Sequence, residues 1–359
     1  MRGGESVLEA ILDVVPQAEI FSLFHFAGSV SRRIESHVIH TSPLQPLATR
    51  ISDYRKLLPL YPFAARHWDF RGFDVIVSSS HCVAKGVNAR GLPHLCYCHT
   101  PMRYVWDRFD DYFPRSKPFT RALVTPVAAY LRRWDRRTSG EVTEFLANSQ
   151  FVQSRIAQFY GRESTVVHPF VDRDFLDEPL ADEREDYHLI VSALVPYKRV
   201  ELAVEAAAAT GKPLVVIGGG PLLSRMSAAA PPNVRFLGHV PRAEIVERLM
   251  RARSLILPGI EDFGITPLEA MALGTPVVAL RGGGVVDSVV EGENGIFFDS
   301  ATVDSVARAM AQVEAREWDR ATLRARAARF SREHFTQKFA VALGRVLDRH
   351  DPGQAIEER

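Results

Sequence analysis

A short helix caught between two apolar strands constrains this chain more than any other stretch. In Pro258–Val278, PGIEDFGITPLEAMALGTPVV, the apolar strand Ser254–Leu257 runs into a loop, the loop opens a helix, and Gly-Thr-Pro stops it before a second apolar strand, Val277–Leu280. Strand, helix and strand in that order read as α/β. Thr266 is predicted as the N-cap, Pro267 as the first helical residue and Glu269 as its capping-box partner. Gly274 and Pro276 close the helix after little more than two turns. Free N–H groups and a partial positive charge at such a start suit a phosphate or a sugar hydroxyl. Two carboxylates flank it, Glu261 before and Glu269 inside, with seven residues between them.

The 359 residues suggest two domains. A hydrophobic content of 46% supplies both cores, and no apolar run approaches the ~20 residues that span a bilayer. The first fifteen residues read as an acidic helix, not a basic-then-apolar signal, so a cytoplasmic protein is expected. Cys82, Cys96 and Cys98 make no disulfide framework. Cys96 and Cys98 share a strand face beside His99, but no further spaced ligands make a metal site of them. The net charge of +1 conceals +6 over residues 1–165 and −5 over 166–359. The basic half could face an anionic acceptor or a membrane surface, or be an ordinary solvated face.

Taken in order, Gly4–Val15 is predicted as an amphipathic helix and Ile20–Phe24 as a buried strand. Asp74–Ser78 and Pro93–His99 are further strands, the second running into His99-Thr100-Pro101-Met102-Arg103-Tyr104-Val105-Trp106-Asp107. Loops beyond the carboxyl ends of parallel strands hold ligands in doubly wound folds, which makes His99 a candidate. Residues 119–139 form a basic helix with Arg132, Arg133, Arg136 and Arg137; without anchor aromatics opposite, it is read as a solvated face, an anionic membrane being the alternative. Phe145–Asn148 is a strand, and a helix from Asn148-Ser149 ends near Tyr160. Asp172-Arg173-Asp174 is a surface turn.

Tyr187–Leu194 is a strand leading to Val195-Pro196-Tyr197-Lys198-Arg199 and a helix over Val200–Thr210. Cations there, before a helix start, suit a pyrophosphate. Leu214–Ile217 leads into Gly218-Gly219-Gly220, a turn that lets backbone approach a ligand. It is no dinucleotide fingerprint, since Leu223 stands where the last glycine belongs, and this argues against a dehydrogenase. Val234–Leu237, Val277–Leu280 and Ile296–Phe298 are strands. A helix begins near Val285, residues 302–330 are helical, and Ser331–Arg349 is the last helix.

The wording of several of these motifs resembles retaining family 4 glycosyltransferases of the GT-B fold. Glu-Asp-Phe-Gly-Ile-Thr-Pro-Leu-Glu is close to the family's E-x7-E segment, and the His99–Asp107 phrase is similar to a subset that includes polysaccharide mannosyltransferases. The resemblance implies an N-terminal acceptor-side domain over 1–168, a nucleotide-sugar domain over 169–330, and a helix over 331–350 packing back on the first domain. Each domain would be a doubly wound, Rossmann-like α/β unit, with the donor in the cleft between them. In the family a strand precedes the turn Arg-Gly-Gly-Glu, so the first strand of the N-terminal domain is expected to be missing here.

By the same resemblance Lys198, with Arg199, faces the donor diphosphate, and no metal or other cofactor is needed. Ala193 stands where many members have a second cation. Gly218, Gly219, His239 and Val240 line the nucleotide. Phe263, Gly264, Ile265 and Thr266 belong to the donor loop, Glu261 holds sugar hydroxyls, and Glu269 accepts from the ribose. His99 contacts the sugar, and Gly3, Gly4 and Arg103 lie on the acceptor side. The implied reaction is transfer with retention by front-face displacement, GDP-mannose first among donors and a UDP-sugar next, to a saccharide or lipid-linked acceptor, with peripheral contact at the inner membrane face as a further implication. Nucleic acid is not an expected partner. A nucleotide-sugar epimerase or a catalytically silent binding subunit remain the alternatives.

Overall fold

The computed structural model describes residues 3–51, 53–181 and 183–350. The chain divides into two units, one drawing on the chain up to His168 and again from Phe335 onward, the other Pro169–His334.

The second unit is a six-stranded parallel sheet. Its strands are β7 (His188–Val191), β8 (Leu214–Ile217), β9 (Val234–Gly238), β10 (Ser254–Leu257), β11 (Val277–Leu280) and β12 (Gly295–Phe298), in the order β12-β11-β10-β7-β8-β9. Strands covered on both faces need apolar residues at every position, and β8, Leu-Val-Val-Ile, is buried throughout. Alternate residues feed two cores. Leu189, Val215, Ile217, Leu255, Val277 and Phe297 enter one; Ile190, Leu214, Val216, Ile256, Val278 and Phe298 enter the other. That is the period-two projection of a strand applied to a whole sheet.

The first unit has β1 (Ile20–Ser22) and β2 (Ile39–Thr41) as a parallel pair, and β3 (Ile76–Ser80), β4 (His94–Cys98), β5 (Glu144–Ala147) and β6 (Thr165–Val166) as a separate four-stranded parallel sheet. A single wound sheet would join these six strands; here no ladder links the pair to the four among the described residues. The described residues ahead of β1 form a helix. β1 is three residues long and half-buried, shorter and more open than the patterning suggests.

Helices of eight residues or more are, among the described residues, α1 (Gly3–Val14), α2 (Pro118–Thr138), α3 (Gln150–Tyr160), α4 (Val200–Thr210), α5 (Arg242–Arg251), α6 (Ile265–Ala272), α7 (Val303–Glu314), α8 (Arg320–Ala328) and α9 (Arg332–Asp348). α3 starts where Ser149 Oγ accepts from the Val152 N–H at 3.0 Å and stops at the left-handed Gly161. From Phe335 onward α9 belongs to the first unit: the Phe335 ring meets Tyr97 edge-on at 5.4 Å, and Arg345 pairs with Glu144.

Three further elements depart from the sequence reading. β3 runs two residues later than Asp74–Ser78, because its polar Ser78 and Ser80 are buried, Ser78 Oγ sitting 2.8 Å from His94 Nε2. The helix near Val285 is only a 3₁₀ segment, Gly283–Asp287. On α2, large apolar side chains do stand on the outer face: Phe119 is 90% exposed and Leu123 76%.

Candidate functional site

The loops at the carboxyl ends of β7, β8, β10 and β11 pack against one another through glycines. A Cβ on Gly259 would lie 2.6 Å from the Tyr197 carbonyl oxygen and 2.7 Å from Lys198 Cα, so the β10 loop passes directly under the β7 loop. On Gly284 it would lie 2.2 Å from the Asp262 carbonyl oxygen, and the Gly284 N–H donates to the Glu261 carbonyl at 2.9 Å. Gly219 sits under the His239 ring, 2.3 Å from Nε2 to the position of an added Cβ, and its carbonyl accepts from the Leu194 N–H at 2.9 Å. At Gly259 and Gly284 the atoms met are backbone, which excludes any larger residue.

This packing brings Lys198 from the β7 loop onto Glu261 of the β10 loop, where the ammonium donates to Glu261 Oε1. Both side chains are mostly but not wholly covered, 14% and 23% exposed, so the pair faces solvent at one edge. Arg199 follows with φ 51°, a left-handed conformation costly for a residue with a Cβ, and it lies at the start of α4. Ala193 is exposed in the same loop, with no cation to offer.

α6 opens two residues earlier than its patterning suggests. The cap is Gly264, φ 90°, and Thr266 lies inside the first turn with no capping hydrogen bond from a side chain. Glu269 is therefore no capping-box partner. Gly264 takes this place because the chain turns there through a left-handed φ that threonine rarely adopts. Phe263, just ahead, is buried and packs on Phe330 at 5.9 Å. Ile265 packs partly buried against the core.

Burial pushes the Glu269 carboxyl up to about 7, opposed by the charge of Arg242 and aided by that of Asp172. Asp172-Arg173-Asp174 is no surface turn but the start of a short helix, Arg173–Asp177, and Arg242 pairs there with Asp172 at 3.3 Å and Asp174 at 3.6 Å. At the end of β9, Gly238 has φ 67°, His239 covers Gly219, and Val240 packs partly buried against the core. The Gly218 N–H donates to the Gly238 carbonyl at 2.7 Å, tying the two turns together.

In the first unit His99 ends β4. Its Nε2 lies 2.8 Å from Ser79 Oγ, and burial with the neighbouring His81 charge lowers its pKa to about 3, so the ring is neutral near pH 7. Gly4 stands beside it, a Cβ there lying 3.9 Å from His99 Cε1. Gly3 is the first residue of α1. Sequence reasoning missed the residues that hold this segment. Asn148 Nδ2 donates to the His99 carbonyl at 2.9 Å, and Arg155 donates to Thr100 Oγ1 at 2.6 Å and pairs with Asp107. The Asn148-Ser149 pair is a visible signal, but the sequence marks it only as the start of a helix. Arg103 lies in the same loop, its carbonyl accepting from the Arg108 N–H at 2.8 Å. Cys96 and Cys98 are buried, and burial lifts the Cys96 thiol to about 12. Among the described residues no cluster of metal-ligating side chains forms around them.

Two family models match. Residues 19–175 match Glycosyltransferase Family 4, and residues 172–333 match Glycosyl transferases group 1. A GDP-mannose-dependent alpha-(1-6)-phosphatidylinositol monomannoside mannosyltransferase of Mycolicibacterium smegmatis is 29% identical over 49% of this chain and 54% of its own length. The alpha-1,3/1,6-mannosyltransferase alg-2 of Neurospora crassa is 26% identical over 50% of each. The chain thus spans about half the length of these curated relatives. Among solved structures, HepE of Anabaena in complex with UDP-glucose aligns at TM-score 0.66 with 19% identity over 96% of both chains. Sucrose-phosphate synthase of Thermosynechococcus elongatus aligns at 0.68 with 16% identity over 95% of this chain and 92% of that one. At such identities the likeness is one of fold. Adjoining matches that run from residue 19 to 333, over two Rossmann-like units, make the chain a member of the family 4 glycosyltransferases of the GT-B fold.

Proposed function

We propose that the chain transfers a hexosyl group from a nucleotide-sugar to a saccharide or lipid-linked acceptor, with retention and without a metal. The observation that carries this reading is the Lys198–Glu261 pair at the strand-end loops. In the proposal the donor diphosphate draws the Lys198 ammonium, which stabilises the charge that develops as the glycosyl C1–O bond breaks. Glu261, released from Lys198, holds sugar hydroxyls. The N–H groups at the start of α6 face the phosphate or the sugar, and Glu269 accepts from the ribose. His99, neutral, is assigned to the donor sugar. The acceptor oxygen attacks C1 on the face that the diphosphate leaves, and the acceptor's hydroxyl proton passes to the departing phosphate oxygen.

GDP-mannose is the donor proposed, supported by the His99–Asp107 phrase and by the GDP-mannose dependence in the name of the Mycolicibacterium relative. A second reading, a catalytically silent nucleotide-sugar-binding subunit, is favoured by Ala193, which leaves the β7 loop one cation short. Incubation with GDP-mannose, UDP-glucose or ADP-glucose and a panel of lipid-linked and free saccharide acceptors separates the two. New glycoside in the α configuration supports transfer. Saturable nucleotide binding with no product from any donor supports the silent subunit.

A further inference from the structure

The end of β3 reads Ser78-Ser79-Ser80, three hydroxyls in a row on a strand of a parallel sheet. Neighbouring side chains of a strand point to opposite faces, so Ser78 and Ser80 share one face and Ser79 takes the other. The two on the shared face are buried and serve the strand itself. Ser78 Oγ lies 2.8 Å from His94 Nε2, and Ser80 Oγ accepts from the Lys85 N–H at 3.3 Å. Ser79 is half-buried near the carboxyl end, the side on which doubly wound folds place ligands. Its Oγ lies 2.8 Å from Nε2 of His99.

Other groups fix where the His99 ring lies. β4 pairs in parallel with β3, Ser79 opposite Tyr97 and Ser80 opposite Cys98, and the His99 N–H continues that ladder by donating to the Ser80 carbonyl at 2.8 Å. The Tyr97 and His99 rings meet edge to face at 5.1 Å, and the Tyr97 hydroxyl donates to the Val167 carbonyl at 2.9 Å, which keeps the phenol ring in place. The start of α1 covers one edge of the imidazole, a Cβ on Gly4 lying 3.9 Å from Cε1 and 4.0 Å from Nε2. None of these contacts sets which way the ring is turned. A half-turn about Cβ–Cγ exchanges Nε2 with Cε1 and Nδ1 with Cδ2 and leaves the outline of the ring almost unchanged. The Ser79 hydroxyl does choose, because it bonds to nitrogen and not to carbon.

We propose that Ser79 is the positioning residue of His99: its hydroxyl occupies Nε2, holds one ring orientation and one tautomer, and leaves Nδ1 for the donor sugar. The inference rests on the reading above that His99 meets that sugar. Burial, with the charge of His81, keeps the ring neutral, so it carries a single proton, and the bond at Nε2 decides the state of Nδ1. Without the Ser79 hydroxyl the ring would divide between two orientations, one of which turns Cδ2 to the sugar in place of a nitrogen. Threonine at this position keeps the hydroxyl and suits a strand, whereas alanine removes it with little change of shape.

The test joins a double-mutant cycle to a spectroscopic readout on the full chain. Transfer is measured for wild type, Ser79→Ala, Ser79→Thr, His99→Ala and Ser79→Ala/His99→Ala, with thermal melts alongside to report any folding defect. The proposal predicts that kcat falls about tenfold in Ser79→Ala with the donor KM nearly unchanged, and returns to within about threefold of wild type in Ser79→Thr. The double variant should be no slower than His99→Ala alone, since Ser79 acts through that ring. In protein with isotope-labelled histidine, the nitrogen resonances that vanish in His99→Ala should show one neutral tautomer in wild type and a mixture in Ser79→Ala. The same tautomer populations in both, or an equal loss from Ser79→Ala in the wild-type and His99→Ala backgrounds, would overturn the proposal. Unchanged transfer in His99→Ala would instead overturn the assignment of His99 to the sugar, with the tautomer spectra still deciding whether Ser79 orients the ring.

Discussion

The Lys198 ammonium is held by the Glu261 carboxylate across the β7 and β10 loops, so the principal cation of the proposed donor site already has a partner before any ligand arrives. An incoming diphosphate must compete with Glu261 for it, and Glu261 is then free to meet the sugar. In the proposed donor site the two residues would exchange partners, coupling diphosphate binding to sugar positioning.

That exchange predicts opposite effects from the two halves of the pair. Glu261→Gln removes the competitor, so a nucleoside diphosphate without sugar should bind equally well or several-fold tighter. Transfer should fall by about a hundredfold or more, since the sugar loses a charged acceptor and meets an amide N–H donor in place of one carboxylate oxygen. Titration calorimetry beside a product assay checks both. A variant with weaker diphosphate binding and intact transfer would reverse the assignment.

Glu269 gives a pH dependence with a fixed sign. Its carboxyl titrates near 7 in the folded chain, raised above the ordinary 4.5 by burial. The stability tied to the protonated form is fully present below 4.5 and is lost as pH rises through about 7. Glu269→Gln should therefore melt higher than wild type at pH 8 and about equally at pH 4. Under the proposed ribose role nucleotide affinity runs the other way, because the carboxylate accepts from hydroxyls more strongly than the neutral carboxyl. It should rise with pH through 7 in wild type and stay flat and weak in the variant.

Gly259 tests the packing that places Lys198. Its added Cβ would meet backbone on the Tyr197–Lys198 side at 2.6–2.8 Å, which no side-chain rotation relieves. Gly259→Ala should cost about 2 kcal/mol and weaken nucleotide binding by displacing the Lys198 loop. Gly238→Ala meets nothing within 4 Å and bears only the cost of its φ of 67°. Melting both variants with and without nucleotide separates the local clash from a general loss of stability.

The buried network in the first unit should be less forgiving. Asp135 pairs with Lys85 at 2.8 Å and accepts from Trp106 Nε1 at 2.8 Å and the Tyr160 hydroxyl at 2.9 Å. Asp135→Ala strands a buried ammonium and two donors and should destabilise that unit by about 3–5 kcal/mol. Denaturant melts should show an early transition, while nucleotide binding by the second unit persists.

Apolar runs covered on both faces were legible without a structure. Leu214–Ile217, Ser254–Leu257 and Val277–Leu280 stand where their patterning puts them, because burial on both sides leaves no phase ambiguity. The Glu261 and Lys198 motifs were legible by their wording, although their pairing was not, since it depends on loops 63 residues apart in the chain. Thr266 misled because T-P-L-E satisfies a local capping rule, while the loop before it demands a left-handed residue that only Gly264 supplies. The β3 serines hid where that strand ends, since Ser78 is buried against His94 and Ser80 lies beyond it. On α2, periodicity reports a two-sided helix and leaves open which side the unit buries, so exposed Phe119 became visible only with Leu131 and Trp134 in place.

The most direct test of the donor site is calorimetric titration of the purified chain with GDP, then UDP and ADP, repeated on Lys198→Ala. The account predicts one-to-one saturable binding of one nucleotide, GDP by preference, reduced about tenfold to a hundredfold in the variant. Binding by none of the three, or equal binding by wild type and Lys198→Ala, would contradict it.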